Sequence, residues 1–285
     1  MPEQTTVAVI GVGRMGGPIA GHLVDAGHEV RVFDVATEAV ATSVERGAIG
    51  AASPAEAARG ASFVCVVVFD DAQARAVIGG PEGVLASLAP GAIVAVHTTV
   101  AIDTIRDLAG QAESRGVAVL DAGISGGEEG AKAGTLLTMV GGPAEAVDRI
   151  TPVLMAFSKD VIHAGGVGAG MALKLARNAT GYVMMSAVHE AMTLAASAGV
   201  DLALLRRTID ETGVFAQALA PFALGGPDPL PADAPEGFRS MLEHVRSLGE
   251  KDLDQALDLA GHTGVDLPVT SRSREVFGQA MRLAD

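Results

Sequence analysis

The feature that most constrains the fold lies near the start of the chain, where a short apolar run leads into a glycine-rich loop. The run Val7–Ile10 precedes the loop Gly11–Gly16, which has the spacing G-x-G-x-x-G and is followed by an amphipathic helical pattern. An acidic residue, Asp34, ends the next predicted strand. Together these features are typical of a dinucleotide-binding unit. The predicted cofactor-binding residues of the loop are Gly11, Val12, Gly13, Arg14, Met15 and Gly16.

Each loop glycine has its own expected role. Gly11 permits a tight turn, Gly13 lets the pyrophosphate approach the backbone, and Gly16 lets the helix pack closely on the strand. The free N–H groups at the start of the helix favour phosphate binding.

Asp34 indicates which dinucleotide the unit prefers. A carboxylate here accepts hydrogen bonds from the ribose hydroxyls and repels a 2′-phosphate, and no cation follows in Val35-Ala36-Thr37. We therefore expect NAD as the cofactor, with NADP less favoured. A second role, compatible with the first, is that Asp34 caps the helix predicted to start near Thr37.

Short β-branched runs alternate with helical patterns through residues 1–164. Several runs are continuous in Val and Ile, which is typical of parallel strands buried on both faces. The alternation predicts an α/β fold with an N-terminal Rossmann-type doubly wound sheet. The predicted strands are Thr6–Ile10, Glu29–Phe33, Phe63–Phe69, Ile93–His97, Val117–Asp121, Leu136–Val140 and Lys159–His163. The predicted helices are Met15–Ala26, Thr37–Arg46, Ala72–Ile78 and Asp103–Arg115, with another starting near Pro143.

The pattern changes after residue 164, where a glycine-rich stretch leads into a long apolar helix from Met171 to about Ala198. Only helices are predicted beyond it, apart from an irregular loop over Pro221–Gly237. These helices are Leu202–Thr212, Phe215–Leu219, Phe238–Ala260 and Val269–Leu283. We therefore divide the chain into a dinucleotide-binding domain, residues 1–164, and a C-terminal all-α domain for substrate binding and oligomerisation, residues 165–285, joined by the long central helix.

The chain is acidic, with a formal net charge of −14. Such a chain is repelled by phosphate backbones and anionic membranes, so neither nucleic acid nor a membrane is an expected partner. No apolar stretch is long enough to predict a membrane span, and the N-terminus lacks a basic signal-peptide region, so we expect a cytoplasmic protein. The single cysteine, Cys65, excludes an internal disulfide, and no residue spacing predicts a metal site.

Lys174 is the most informative residue outside the glycine loop. It lies in the first half of the long helix, which is apolar nearly all round and should therefore be buried. Lys174 and Asn178 are four residues apart and share one helix face. A buried lysine has a lowered pKa and transfers protons, as the oxidation of an alcohol requires. The alternative is a lysine whose stem lies on apolar surface while its ammonium reaches solvent.

A Ser-Gly-Gly turn follows the predicted strand Val117–Asp121. Ser125, Gly126 and Gly127 lie at the carboxyl edge of the sheet, where open α/β sheets bind ligands. A hydroxyl and unshielded N–H groups suit a substrate carboxylate. A plain turn without a ligand is the alternative.

Four signatures, in this order along the chain, resemble those of the β-hydroxyacid dehydrogenases, the family that includes 3-hydroxyisobutyrate dehydrogenase. The resemblance covers essentially the whole chain. The signatures are the loop Gly11–Gly16, the run Asp121–Gly127 continued by Gly130-Ala131, Gly134-Thr135 and Met139–Gly142, the set Gly168, Gly170, Lys174 and Asn178, and the triplet Lys251-Asp252-Leu253. The resemblance implies an NAD-dependent oxidoreductase acting on a small carboxylate substrate, and a homodimer or homotetramer built through the helical domain.

The resemblance also implies roles for single residues. Lys174 resembles the catalytic acid/base, and Asn178 resembles the residue that helps hold the substrate oxygen. The turn Ser125–Gly127 resembles the carboxylate-binding loop. The predicted cofactor contacts beyond the glycine loop and Asp34 are Phe69, Thr99, Lys251 and Asp252.

Two departures from the family pattern concern the substrate. Arg177 stands where many members have Asn, and His244 stands where some have Phe. We place both on the substrate side of the site, where they would recognise a larger or more acidic substrate. Alternatively, Arg177 only pairs with an internal carboxylate. Gly123 also replaces a common Pro.

The leading hypothesis is an enzyme that transfers a hydride between NAD and a small 3-hydroxy acid similar to 3-hydroxyisobutyrate. A reductase of tartronate semialdehyde or another semialdehyde is an alternative with the same chemistry. Imine reductases share the architecture, but many lack a lysine at the position of Lys174. A different class of function is a non-catalytic NAD-binding module, against which the joint presence of Lys174, Asn178 and the Ser-Gly-Gly turn argues.

Overall fold

The computed structural model describes residues 5–283, without the side chains of residues 222 and 223. These residues form two compact units, and the boundary between the units lies after Asn178, inside the helix Ala169–Ser197. All strands of the described residues belong to the first unit, and the second unit is helical. An α/β sheet followed by an all-α region is therefore confirmed. The predicted domain division after residue 164 falls at the end of the last strand, which runs to Gly165, and it stays a prediction about domain organisation.

Eight strands and thirteen α-helices occur in the described residues. The strands are β1 (Thr6–Ile10), β2 (Glu29–Phe33), β3 (Ile49–Gly50), β4 (Phe63–Val66), β5 (Ile93–Val96), β6 (Ala118–Ser125), β7 (Leu136–Gly141) and β8 (Ser158–Gly165). The helices are α1 (Gly16–Asp25), α2 (Thr37–Glu45), α3 (Pro54–Ala58), α4 (Asp71–Gly79), α5 (Ile102–Glu113), α6 (Gly127–Ala133), α7 (Ala144–Leu154), α8 (Ala169–Ser197), α9 (Leu202–Thr212), α10 (Val214–Gln217), α11 (Ala220–Ala223), α12 (Glu236–Thr263) and α13 (Pro268–Ala280).

The strands form one sheet in the order β3-β2-β1-β4-β5-β6-β7-β8. The first six strands in this order are parallel, β7 is antiparallel to β6, and β8 is parallel to β7. The parallel part has the Rossmann strand order, and the order reverses between β1 and β4, where a crevice opens at the carboxyl ends of the strands. The reversal at β7 has a local reason, because only residues 126–135 connect it to β6 and a parallel crossover needs a longer connection.

The sheet is apolar on both faces because helices cover both faces. Val9 and Cys65 contribute to the hydrophobic cluster on one face, and Val64 and Val94 contribute to the cluster on the other. Complete burial of each of these valine side chains stabilises the fold by roughly 1.5–3 kcal/mol. Burial also raises the pKa of the Cys65 thiol to about 12, so Cys65 is a core residue with no thiolate chemistry.

The expectation that the long helix is buried is wrong for most of α8 within a single chain. Met171 and Lys174 are buried at its start, but Tyr182 and Met185 are 64 % and 68 % exposed. Apolar composition does not reveal whether a helix is covered by its own chain or by another chain. Among the helices that the structure describes, none has the length and apolar character needed to cross a membrane.

Short elements that were missing from the sequence prediction include β3, α3 and α11. Strand β3 has only two residues, and α11 lies inside the segment expected to be an irregular loop. Helix α3 carries a readable signal, because the Ser53 side chain accepts a hydrogen bond from the Glu56 backbone and Pro54 occupies the first helical position. Strand β6 is also longer than predicted, so Ser125 is its last residue rather than part of a free turn.

Candidate active site

A crevice of about 540 Å³ lies at the carboxyl ends of β1, β2 and β4. The turn at Gly11 has φ +89°, which favours glycine. A Cβ on Gly16 would collide with the Gly11 carbonyl oxygen, whereas a Cβ on Gly13 would meet no atom within 4 Å. The loop is thus closed behind Gly16 and open at Gly13, as the predicted approach of a pyrophosphate requires. The predicted cofactor residues that line the crevice are Gly11, Gly13, Arg14, Met15, Gly16, Asp34 and Phe69.

Asp34 connects the glycine loop to the loop after β2. One of its carboxylate oxygens accepts a hydrogen bond from the Val12 backbone at 2.8 Å, and the other accepts one from the Ala36 backbone at 2.8 Å. The N-cap position of α2 is Ala36, so Asp34 is not the helix cap that the sequence suggested. Each carboxylate oxygen has a second lone pair, which leaves acceptors for ribose hydroxyls.

The segment after β4 also lines the crevice, together with the glycine loop and the loop after β2. Phe69 is 86 % exposed and presents an apolar ring at the mouth of the crevice. The preceding residue, Val68, is held at both its N–H and its C=O by the buried hydroxyl of Thr98, at 2.9 and 3.0 Å. Thr98 follows β5. It was not among the site residues predicted from the sequence. Its neighbour Thr99, a predicted cofactor contact, is exposed in the loop between β5 and α5.

Lys174 lies near the start of α8 and is only 8 % exposed. Its ammonium donates a hydrogen bond to the carbonyl oxygen of Ile124, near the end of β6. Its stem lies on Gly123, where an added Cβ would come within 2.6 Å of Lys174 Cδ. Lys174 is therefore buried, as predicted, and its ammonium has a protein partner. In this chain a side chain at position 123 would collide with the lysine stem.

Burial lowers the pKa of Lys174 below its ordinary value, and the positive charge of Arg177 lowers it further. Both causes disfavour the ammonium form, so the neutral amine is available at a lower pH than in an exposed lysine. A group poised in this way suits proton transfer.

Arg177 and Asn178 follow Lys174 on the same helix. Arg177 is exposed, and its guanidinium donates to the side-chain oxygen of Asn178 at 3.2 Å. No carboxylate of the described residues lies within ion-pair distance of Arg177, so the structure shows no internal partner of the kind considered above. Asn178 is half-buried.

The predicted carboxylate-binding turn joins β6 to α6. Ser125 ends β6, and Gly126 and Gly127 lead from it into α6.

His97 is a second buried group beside Lys174 that sequence reasoning treated only as the end of a strand. Its Nδ1 makes a 2.7 Å hydrogen bond with the Ala122 carbonyl oxygen, while its Nε2 has no protein partner. Burial lowers the pKa of His97 to about 4, and the charge of Lys174 acts in the same direction, against the hydrogen bond to Ala122. His97 is thus neutral near pH 7 and adds no second charge to the site.

The remaining predicted residues lie in the second unit, on α12. His244, Lys251 and Asp252 are all exposed, and Lys251 pairs with Asp252 at 3.1 Å. The roles of these three residues stay predictions. Across residues 5–283, no group of three or more His, Cys, Asp or Glu side chains has the arrangement of a metal site.

Comparison with known proteins gives a family match for each half of the chain. Residues 6–166 match the NAD-binding domain of 6-phosphogluconate dehydrogenase, and residues 168–284 match the NAD-binding domain of NADP-dependent 3-hydroxyisobutyrate dehydrogenase. Both halves therefore carry the family features of an oxidoreductase that binds a nicotinamide dinucleotide.

Full-length relatives have related activities. The chain is 36 % identical to 3-hydroxyisobutyrate dehydrogenase of Pseudomonas aeruginosa, covering 96 % of this chain and 91 % of the relative. It is 34 % identical to 3-sulfolactaldehyde reductase of Escherichia coli, covering 97 % of this chain and 90 % of the relative. The solved structure of Mycobacterium tuberculosis 3-hydroxyisobutyrate dehydrogenase with L-serine matches with a TM-score of 0.71 at 32 % identity, covering 97 % and 94 % of the two chains.

We predict that Arg177→Gln raises the pKa of Lys174, because it removes the positive charge that disfavours the ammonium. Competitive acetylation across a pH series, read by mass spectrometry of the Lys174 peptide, measures this pKa. Arg207→Gln, an exposed arginine on α9, makes the same change in net charge and should leave the pKa unaltered. An equal Lys174 pKa in Arg177→Gln and the parent protein would contradict the assigned cause.

Proposed function

The chain belongs to the β-hydroxyacid dehydrogenase family, and from this premise we propose that it oxidises a small 3-hydroxy acid similar to 3-hydroxyisobutyrate, with NAD as the hydride acceptor and Lys174 as the acid/base. One observation carries the proposal: a buried lysine ammonium is held by the strand that ends in Ser125. The proton donor on α8 thus contacts the strand that leads into the predicted carboxylate-binding turn.

The crevice beside the glycine loop fits the cofactor. Gly13 leaves room for the pyrophosphate, the start of α1 supplies free N–H groups, and Asp34 faces the crevice with acceptors for the ribose. When bound, NAD would supply the acceptor for the hydride that leaves the hydroxyl carbon of the substrate. The residues of the chain therefore have to orient the substrate and accept the remaining proton.

Lys174 would accept that proton. The neutral amine takes the proton of the substrate hydroxyl as the hydride leaves the carbon, which gives a carbonyl compound and an ammonium. In the opposite direction the ammonium returns a proton to the carbonyl oxygen. The ammonium has three donors and uses one on Ile124, so donors remain for a substrate oxygen. Asn178, on the same helix face, would hold that oxygen.

The substrate carboxylate would bind the turn Ser125–Gly127. The serine hydroxyl and the backbone N–H groups of the two glycines are the available donors. Arg177 adds a positive charge in a chain that is otherwise strongly acidic, which would raise the local concentration of an anionic substrate.

A reductase of a small acidic semialdehyde is the second candidate. The relative in Escherichia coli is named for the reduction of 3-sulfolactaldehyde. Among the described residues, Arg177 donates to the Asn178 side chain but has no carboxylate within ion-pair distance. A second anionic group on the substrate would suit such a guanidinium. An imine reductase or a non-catalytic NAD-binding module would have no need for a buried lysine next to a carboxylate-binding turn.

We predict that Lys174→Met lowers kcat by roughly 10²–10⁴, the usual contribution of a general acid/base. Methionine keeps an apolar stem on Gly123 and removes the ammonium. A panel of small 3-hydroxy acids with NAD, read by NADH absorbance, measures the effect. In the parent protein, oxidation should rise with pH through the lowered Lys174 pKa, and this rise should be absent in Lys174→Met. Lys159→Ala, at an exposed lysine of β8, is the control. Near-normal kcat in Lys174→Met would refute the proposed role.

Asp34 predicts a preference for NAD over NADP. Its carboxylate would lie close to the 2′-position of the ribose, where a phosphate would be repelled. The ratio of kcat/KM for NAD and NADP, measured with one substrate, should favour NAD in the parent protein and fall in Asp34→Arg. An unchanged ratio in Asp34→Arg would show that Asp34 does not contact the ribose.

We also propose that the chain forms a homodimer or homotetramer through its helical part. The segment of α8 in the second unit exposes large apolar side chains, among them Tyr182, Val183 and Met185. Exposing such a surface to water is unfavourable in free energy, and a second copy of the chain is the partner always present.

Light scattering during size-exclusion chromatography should give two or four chains, and Met185→Lys should shift the mass downward. Val44→Lys, on α2, is the control, and a monomeric parent protein would contradict the proposal.

A further inference from the structure

Asp121 is a completely buried carboxylate that the proposed chemistry does not use. It lies on β6 with 0 % of its surface exposed. One oxygen accepts a hydrogen bond from the Gly168 backbone at 2.7 Å, and the other accepts one from the Met171 backbone at 2.6 Å. Both donors belong to the first turn of α8 or the residue directly before it.

This pair of bonds replaces a capping box. In a capping box the N-cap residue and the third helical residue each supply a side chain that accepts from the backbone N–H of the other. Gly168 and Met171 occupy these two positions of α8, and neither has an acceptor side chain. Asp121 satisfies both N–H groups from a different element, and its carboxylate faces the positive end of the helix dipole. The start of α8 is therefore fixed to β6 rather than capped by its own sequence.

The surroundings of Asp121 are shaped for this contact. A Cβ on Gly141 would lie 2.5 Å from an Asp121 oxygen, and a Cβ on Gly170 would lie 2.7 Å from the Gly141 backbone nitrogen. Because both positions are glycine, the first turn of α8 can pack closely against β6 and β7. The glycine-rich stretch before Met171 thus has a reason in packing as well as in backbone freedom.

Further along β6, two residues also contact Lys174 of α8. Gly123, two residues after Asp121, supports the lysine stem, and the next carbonyl, at Ile124, accepts from the ammonium. Lys174 lies three residues after Met171, within the next turn of α8. Within the described residues, Asp121 is the only side chain of β6 that hydrogen-bonds to the start of α8.

We propose that Asp121 is a positioning residue, which acts on the reaction through Lys174. It sets the register between α8 and β6, so that the ammonium lies beside the turn that would hold the substrate carboxylate. This inference rests on the proposed role of Lys174. A displacement of about 1 Å is enough to reduce a reaction rate by about 10²-fold.

The test is a double-mutant cycle with Asp121→Asn and Lys174→Met. Asn keeps the size of the side chain but presents an NH₂ group to one of the two N–H donors. We expect kcat for 3-hydroxy acid oxidation to fall at least about tenfold in Asp121→Asn, with the dissociation constant of NADH within about twofold of the parent protein. Because Asp121 would act through Lys174, the double variant should be no slower than Lys174→Met alone.

Glu190 provides the matched control. It is also a buried carboxylate, and it accepts hydrogen bonds from the Val269 and Thr270 backbones at the start of α13. Glu190→Gln should therefore lower the thermal unfolding midpoint, as Asp121→Asn does, and leave kcat near that of the parent protein. The comparison separates loss of a buried helix cap from loss of the lysine position.

The outcomes distinguish this inference from the function on which it rests. Normal activity in Lys174→Met would overturn the proposed function. A slow Lys174→Met with a normal Asp121→Asn, or rate losses that multiply in the double variant, would overturn the positioning role alone. Asp121→Ser is the second variant, since its hydroxyl can still accept one of the two bonds. Failure of both Asp121 variants to fold would assign the residue to fold stability only and also overturn the proposal.

Discussion

The contact between the Lys174 ammonium and the Ile124 carbonyl is the interaction on which the candidate site depends. Removing an ammonium from water disfavours its charged form, which is why the pKa of Lys174 falls below the ordinary value. The Ile124 carbonyl stabilises the ammonium by accepting a hydrogen bond from it. A neighbouring carboxylate would also have stabilised the ammonium, but it would have raised the pKa of Lys174. The group can therefore be an ammonium in one direction of a reaction and a neutral amine in the other.

The arrangement also explains how an acidic chain would take an anionic substrate. A net charge of −14 repels anions over most of the surface. Lys174, whose ammonium contacts Ile124, places a positive charge at the end of β6, and Arg177 adds a second positive charge on the same helix. This end of β6 leads into the Ser-Gly-Gly turn. Family membership establishes an oxidoreductase that binds a nicotinamide dinucleotide, and this region supplies the physical reason for expecting a small carboxylate as its substrate.

The glycine loop and the alternating strands were predictable because their signals are local. Gly11 and Gly16 are required by backbone contacts within one strand–loop–helix unit, so their spacing alone indicates the geometry. Strand β3 and helix α3 were missed because elements of two and five residues show no periodicity. The burial of Lys174 was predicted correctly, but the reason given for it, an apolar helix buried along its length, holds only at the start of α8.

The parts that could not be predicted depend on contacts between distant segments. The roles of Thr98, His97 and Asp121 come from partners 30, 25 and about 50 residues away, and no pattern within the sequence reports these pairings. The burial of α8 was mispredicted for a similar reason, since an apolar helix has the same composition whether it faces its own chain or another.

The most direct test of the site is a crystal structure of the protein with NADH and a 3-hydroxy acid. We expect Lys174 Nζ to lie within about 2.6–3.2 Å of the substrate hydroxyl, the reach of a general acid/base, with the substrate carboxylate on the Ser125–Gly127 turn. A complex in which the hydroxyl lies beside the nicotinamide but out of reach of Lys174, or in which the lysine points into solvent, would contradict this expectation.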